Sequence, residues 1–264
     1  MFIVGERINA SRKMIKPAIE NRDADFIVKE ASDQANAGAD LVDVNAGVFV
    51  NKEVEYLPWL VETIQAKVDV RLCLDSPDPK AIEAALAVHK GQAMINSISL
   101  EKERFETLLP LIGKYKAKVV ALCMTDTGMP KTAQERFDVA SELIGKLTKG
   151  GIPLDDIYVD PLVMAVSTDS SFGIEFLQAI RLIMTGHPGV HTICGLSNIS
   201  FGLPLRSHIN QTFAIMGMTM GLDGLIIDPL DKRMMAGIMM AETLLGHDQY
   251  CAGYLQAYRD GHFE

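Results

Sequence analysis

Apolar residues fall into eight short runs along this chain, and a stretch with helical spacing follows each run. The runs begin at Phe2-Ile3-Val4 and continue at 40–45, 70–74, 93–95, 118–122, 157–159, 191–196 and 224–227. Helix-patterned stretches lie at 23–37, 53–67, 78–89, 101–113, 131–148, 172–185, 206–220 and 231–245. Gly38, Gly150-Gly151, Gly186, Gly221 and Gly246 supply stop signals, since glycine accepts the left-handed backbone that closes many helices. Pro79 stands in a first-turn position, where its missing N–H costs little; Pro58 is a local irregularity inside its stretch. The apolar runs are continuous, without strict alternation, as are parallel strands buried on both faces. Alternating strand and helix units predict a parallel sheet with right-handed crossovers. Eight such units favour a closed (β/α)8 TIM barrel over an open doubly wound sheet. A barrel of this kind takes about 250 residues, so residues 1–264 are read as one domain. The tail from Asp248 to Glu264 lies beyond the last unit and is expected to be a packed terminal extension.

A closed parallel barrel delivers the C-terminal ends of all its strands to one face. Four runs finish there in Asp75, Asn96, Asp160 and Asn198. A carboxylate accepts two parallel N–H bonds from a guanidine-like edge. The 2-amino-4-oxopyrimidine part of a pterin presents such an edge. An asparagine amide offers one donor and one acceptor, which suits a neighbouring ring nitrogen and carbonyl. Singly, each of these residues reads equally well as a turn former or helix cap. Together, at one register of one barrel, they point to recognition of a heteroaromatic ring.

The formal charge, 25 − 34 = −9, argues against a nucleic-acid or anionic-membrane partner. No stretch reaches the ~18 apolar residues of a membrane span, and Met1-Phe2-Ile3-Val4-Gly5-Glu6 lacks the basic leader of an export signal. Cys73, Cys123, Cys194 and Cys251 form no CxxC pair, and three lie in apolar runs, as free thiols do in a reducing compartment. A cytoplasmic protein is expected. Two stretches are rich in methionine, 214–220 and 234–240, and the second is apolar nearly all round. Such a helix is either unusually buried or a subunit contact made of adaptable side chains; a homodimer through these helices is expected.

Six segments carry a resemblance. They are GERIN (5–9), DVNAG (43–47), LCLDS (72–76), AMINS (93–97), YVDP (158–161) and GLSNISFGLPLRSHIN (195–210). In order and spacing the chain resembles the pterin-binding methyltransferases, which include methyltetrahydrofolate:corrinoid methyltransferases and the folate module of cobalamin-dependent methionine synthase. The resemblance implies a TIM barrel, usually dimeric, that holds tetrahydrofolate or 5-methyltetrahydrofolate as substrate. It implies that Asp75, Asn96 and Asp160 bind the pterin and that Asn198 sits by N5 as the catalytic residue. Glu6, Asn9, Ser197 and Arg206 are implied as further contributors. No Asp-x-His-x-x-Gly segment marks a cobalamin-binding module, and no cysteine cluster is suited to zinc. The corrinoid is therefore expected to be supplied by a partner protein.

In that reading the methyl group moves between folate N5 and cobalt. An asparagine amide that rotates accepts from protonated N5 or donates to its lone pair, and so serves both directions. The loop Ser200-Phe201-Gly202-Leu203-Pro204 resembles the methionine synthase version. It tilts the expectation toward methyl-corrinoid to tetrahydrofolate transfer, as in methylamine or betaine catabolism. The alternative runs from methyltetrahydrofolate to a corrinoid iron–sulfur protein, as in acetogenic carbon fixation. A dihydropteroate synthase would carry a Ser-Arg-Lys loop after the seventh strand, where this chain has Ser197-Asn198-Ile199. A phosphate-handling barrel is disfavoured by the acidic Asp228-Pro229-Leu230-Asp231 loop. A folate binder without turnover would have no use for Asn198. Asp43, Asp75, Asp160 and Asp228 all finish strands, in the manner of magnesium ligands, but no histidine joins them and no metal is expected.

Overall fold

The computed structural model describes residues 1–261 and Phe263; His262 and Glu264, at the end of the expected extension, lie outside the described residues. Eight parallel strands close into a barrel in sequence order. They are β1 (Phe2–Asn9), β2 (Leu41–Asn45), β3 (Arg71–Asp75), β4 (Met94–Ile98), β5 (Lys118–Leu122), β6 (Ile157–Asp160), β7 (His191–Gly195) and β8 (Gly224–Ile227). The first and last strands pair from Phe2 opposite Gly224 to Gly5 opposite Ile227, which completes the ring. The helices are α1 (Ile15–Glu20), α2 (Ala24–Asn36), α3 (Glu53–Gln65), α4 (Pro79–Val88), α5 (Lys102–Tyr115), α6 (Ala133–Lys149), α7 (Phe172–Gly186), α8 (Arg206–Met220), α9 (Lys232–Leu244) and α10 (Ala252–Arg259).

Two strands outrun their apolar patterns by more than one residue. β1 continues through Glu6 and Arg7 to Asn9, because Arg7 finds carboxylates on both sides, Glu30 at 2.8 Å and Asp228 at 2.9 Å. β4 continues through Asn96-Ser97 to Ile98. In both cases the polar residues belong to the barrel mouth, which hydropathy alone reads as loop. The short helix α1 has no counterpart in the periodicity. Beyond α9, a turn of 3-10 helix (Gln249–Cys251) and α10 form the terminal extension, with Ala257 buried. Asp248 fastens it by accepting from the N–H groups of Gly253 and Tyr254, both at 2.9 Å.

The core has the layers a barrel requires. Most of it lies between the strands and the helix ring, where Leu57, Leu60, Ile82, Leu108, Ile144 and Phe176 are buried. Thr132 and Glu135 form a reciprocal capping box at the start of α6, satisfying two of its unpaired N–H groups. Among the described residues no helix is long and apolar enough to cross a membrane.

Candidate functional site

The site begins one register step above an apolar layer. Alternate strand residues point into a barrel. One interior layer draws a residue from each strand: Val4, Leu41, Cys73, Met94, Val120, Tyr158, Ile193 and Ile226. Two residues further along each run stand Glu6, Asp43, Asp75, Asn96, Leu122, Asp160, Gly195 and Asp228. The barrel thus changes from hydrocarbon to mostly polar groups within one step. Gly195 adds no side chain, and a Cβ built there would meet nothing within 4 Å. The polar floor is open at that point.

The floor groups are paired across neighbouring strands. Asp75 lies beside Asn45 on one side and Asn96 on the other in the ladder. Asn45 Nδ2 donates to Asp75 Oδ2 at 2.8 Å, and Asn96 Nδ2 donates to Asp43 Oδ1 at 3.4 Å. Among the described residues nothing donates to Asn96 Oδ1, which leaves it as an acceptor. Burial pushes the Asp43 carboxyl well above the usual carboxylate range, and the nearby Asp75 charge adds to this. Burial also raises Asp75, against the opposing pull of the Asn45 hydrogen bond and the Arg104 guanidinium. Asp160 is 8% exposed. Burial lifts it to about 7, although the N–H groups of Leu162 and Gly195 and the Arg136 charge all work the other way. A buried carboxylate with few donors gains from a ligand that brings two N–H groups. The floor is therefore built to receive an edge of paired donors.

Two arginines on the helices support this floor, and neither is marked in the sequence pattern. Arg136, fully buried on α6, donates to the carbonyls of Lys131 at 3.0 Å and Leu162 at 3.4 Å. Leu162 has a φ of 66°, which a leucine adopts only when its surroundings hold it. Its N–H in turn donates to Asp160 Oδ1 at 2.8 Å. Arg104 lies on α5 beside Asp75 and Asn96.

The eight residues expected from the sequence all reach the C-terminal face, but not one common cavity. Asp75 and Asn96 line a cavity of about 660 Å³. Glu6, Ser197 and Arg206 line a second one of about 320 Å³ on the β7–β8–β1 side. Asp160 belongs to the buried floor, and Asn198 stands exposed on a 3-10 turn, Leu196–Ser200, after β7. The Asn198 side chain makes no hydrogen bond with the described residues, so its amide is free for a ligand. Arg206 fastens that turn, with Nη2 donating to Ser197 O at 2.6 Å and Nε to Ser200 Oγ at 3.0 Å. Glu6 pairs with Arg12 at 3.1 Å, and burial raises its carboxyl. Asn9 lines neither cavity. Its Oδ1 accepts from Ser11 N and Oγ at 2.9 and 2.7 Å, which makes it a turn former. Asn45, Arg104 and Arg136 are residues of the floor and its supports that the sequence reading passed over. Only Asn45, inside DVNAG at a strand end, carried a signal there.

This is a parallel β/α barrel with a polar, hydrogen-bonding floor at its mouth. The chain matches the family described as pterin binding enzyme over residues 5–228, and it belongs to that family. It is 36% identical over 263 residues to a methylcorrinoid:tetrahydrofolate methyltransferase of Eubacterium limosum, covering 99% of this chain and 97% of that protein. It is 31% identical over 240 residues to the methionine synthase of Mycobacterium tuberculosis, covering 86% of this chain but 20% of the longer protein. Among solved structures, a dihydropteroate synthase from Clostridium difficile superposes with a TM-score of 0.75 at 20% identity, over 92% of this chain and 96% of that one. At that identity the likeness establishes the fold.

Proposed function

We propose that this protein moves a methyl group between a corrinoid and N5 of tetrahydrofolate, from methyl-corrinoid to tetrahydrofolate in the physiological direction. Similarity to the Eubacterium limosum methyltransferase along nearly the whole of both chains carries this reading. The polar floor supports it, because Asp75, Asn96 and Asp160 offer the acceptors and the amide that a pterin edge calls for. The corrinoid belongs to a partner protein and supplies the cobalt that gives up or takes the methyl group. This chain's residues bind and orient the folate. Asp75 and Asp160 hold the guanidine-like edge, Asn96 Oδ1 takes a ring donor, and Gly195 leaves room for the ring. The free Asn198 amide stands by N5. As N5 attacks the methyl carbon and the Co–C electron pair stays on cobalt, N5 gains positive charge and the amide turns its oxygen toward it; the N5 proton then leaves to solvent, and the amide N–H can meet the lone pair that returns. Each state of N5 is thus met by a preorganised dipole of the right sign.

The reverse direction, from methyltetrahydrofolate to a corrinoid iron–sulfur protein, uses the same groups. A spectroscopic assay separates the two. Methylcobalamin is mixed with tetrahydrofolate, and reduced cobalamin with methyltetrahydrofolate, each with and without protein. Faster transfer in the first mixture supports the proposed direction; no catalysed transfer in either, with free cobalamin or a corrinoid protein, overturns the methyltransferase reading.

The reading extends to a cytoplasmic homodimer with residues 1–264 as one pterin-binding domain. Met218 and Met234 are buried within the protomer, whereas Met216 and Met240 are more than 40% exposed on α8 and α9. An apolar groove of about 400 Å³ between α7 and α8 continues this surface. Light scattering should give twice the 28.9 kDa protomer mass; the protomer mass at micromolar concentration would refute the dimer.

A further inference from the structure

The cavity that Asp75 and Asn96 line contains a charge for which ring recognition has no evident use. Arg104 lies in the first turn of α5, and its half-buried guanidinium reaches back to the loop that follows β3 and to the last residues of β4. Nε donates to Ser97 O at 2.7 Å, Nη1 to Pro77 O at 3.0 Å and Nη2 to Ser76 O at 3.0 Å. All three nitrogens thus serve backbone carbonyls, two in the loop after β3 and one near the end of β4. Ser76 directly follows Asp75, and Ser97 directly follows Asn96. The two strands pair in the ladder up to Asp75 opposite Asn96, and Ser76 N donates to Asn96 O at 3.3 Å; the guanidinium adds three bonds just past that last pair.

We propose that Arg104 is a positioning residue for the pterin site, clamping the residues next to Asp75 and Asn96 so that carboxylate and amide keep the spacing one ring requires. The proposal rests on the reading that this cavity takes the pterin. A guanidinium is suited to the task because its planar fork presents donors in fixed directions. A lysine ammonium is a point charge on a flexible stem and holds one or two carbonyls at best. The same charge opposes the upward push of burial on Asp75 and so favours the ionised form that accepts N–H groups. Arg104 does not touch the reacting atoms in this account; it acts through its two neighbours.

The test is calorimetric binding of 5-methyltetrahydrofolate, and of a tetrahydropterin lacking the aminobenzoyl-glutamate tail, to the native protein, Arg104→Ala and Arg104→Lys. Circular dichroism checks folding. Misplacing binding groups by about an ångström costs up to roughly 100-fold, so Arg104→Ala should weaken both ligands equally by roughly 10–100-fold. Millimolar guanidinium, but not the same concentration of sodium chloride, should restore part of that loss. Arg104→Lys should fall between. A folded Ala variant that binds both ligands as the native protein does would overturn the proposal. So would a loss confined to the tailed ligand, which would mean direct contact with the glutamate. If the Ala variant fails to fold, the Lys variant decides, and unchanged affinity there overturns the proposal. Absence of folate binding by the native protein would overturn the pterin reading itself and this proposal with it.

Discussion

Replacing Asp160 by asparagine should make the protein more stable and unable to hold folate. An aspartate in an unfolded chain titrates near 3.9, whereas burial raises Asp160 to about 7. Between those two values the folded protein binds a proton that the unfolded chain has released. Stability therefore falls as pH rises from about 4 to about 7 and is level above that. At 1.36 kcal/mol per pH unit the difference is about 4 kcal/mol at pH 8, an upper bound because the folded chain relaxes around the charge. Asparagine carries no charge yet keeps an acceptor for Leu162 N, which bonds Asp160 Oδ1 at 2.8 Å. Half of the bound, about 2 kcal/mol, raises the melting temperature by roughly 4–8 °C at this chain length. The gain should shrink to almost nothing at pH 4. Folate binding should respond in the opposite sense. In the native protein affinity should fall about tenfold from pH 8 to pH 6, as Asp160 takes up its proton. In the variant, the amide opposes the pterin's own donors, and binding should be roughly 10²–10⁴-fold weaker and flat with pH. Thermal melts at pH 4 and pH 8, with calorimetry on folate, measure both effects. A variant that melts below the native protein at pH 8 and keeps its folate affinity would refute the reasoning.

Asn198→Ala should lower the single-turnover methyl-transfer rate by roughly 10–10³-fold. Its melting temperature should hold, because the side chain is exposed and bonds no described residue; an unchanged rate would remove Asn198 from catalysis. Gly195→Val should fold, since its φ of −75° suits any residue and a Cβ meets nothing within 4 Å. It should lose folate binding by filling the open floor, and calorimetry showing native affinity would place the ring elsewhere. On the opposite face of the barrel, hydrogen bonds to Asp223 (2.6 Å) and Asp155 (3.2 Å) raise His191 above its ordinary value. The stability this adds is full below pH 6.5 and is lost as pH rises through the higher folded value. His191→Gln should therefore flatten the urea midpoint between pH 6 and pH 8, and a midpoint that still drifts equally would assign the drift to other groups.

The barrel was legible because parallel strands buried on both faces leave continuous apolar runs, and each run here ended in a turn signal. β5 and β8 match their runs residue for residue. β1 and β4 were read short for a physical reason. Their later residues Glu6, Arg7 and Asn9, and Asn96 and Ser97, are strand by hydrogen bonding but polar in character, so hydropathy and conformation part company at the mouth. The same logic sorts the site residues. Asp75, Asn96 and Asp160 were visible because a strand end fixes where its side chain points. Asn9 sits in an equally suggestive place, and its Oδ1 also accepts from Ser11, a turn contact that strand position alone does not reveal.

The residues that escaped the sequence reading act through others. Arg104 and Arg136 lie on helices, several residues past the strand ends they serve, at positions where a surface helix ordinarily carries a solvated cation. Nothing in the 3.6-residue period separates a guanidinium that turns inward from one that faces water. Yet the floor depends on them. In a layer with carboxyls at Glu6, Asp43, Asp75 and Asp160, burial raises each of them and so disfavours the ionised form that meets a ligand's donors. Arg136 and Arg104 supply the opposing charge next to Asp160 and Asp75. They also hold the backbone that aims both carboxylates. Strand register can therefore place the acidic groups of such a site, while inward-turning helix cations oppose the upward push of burial on them and hold the backbone beside them.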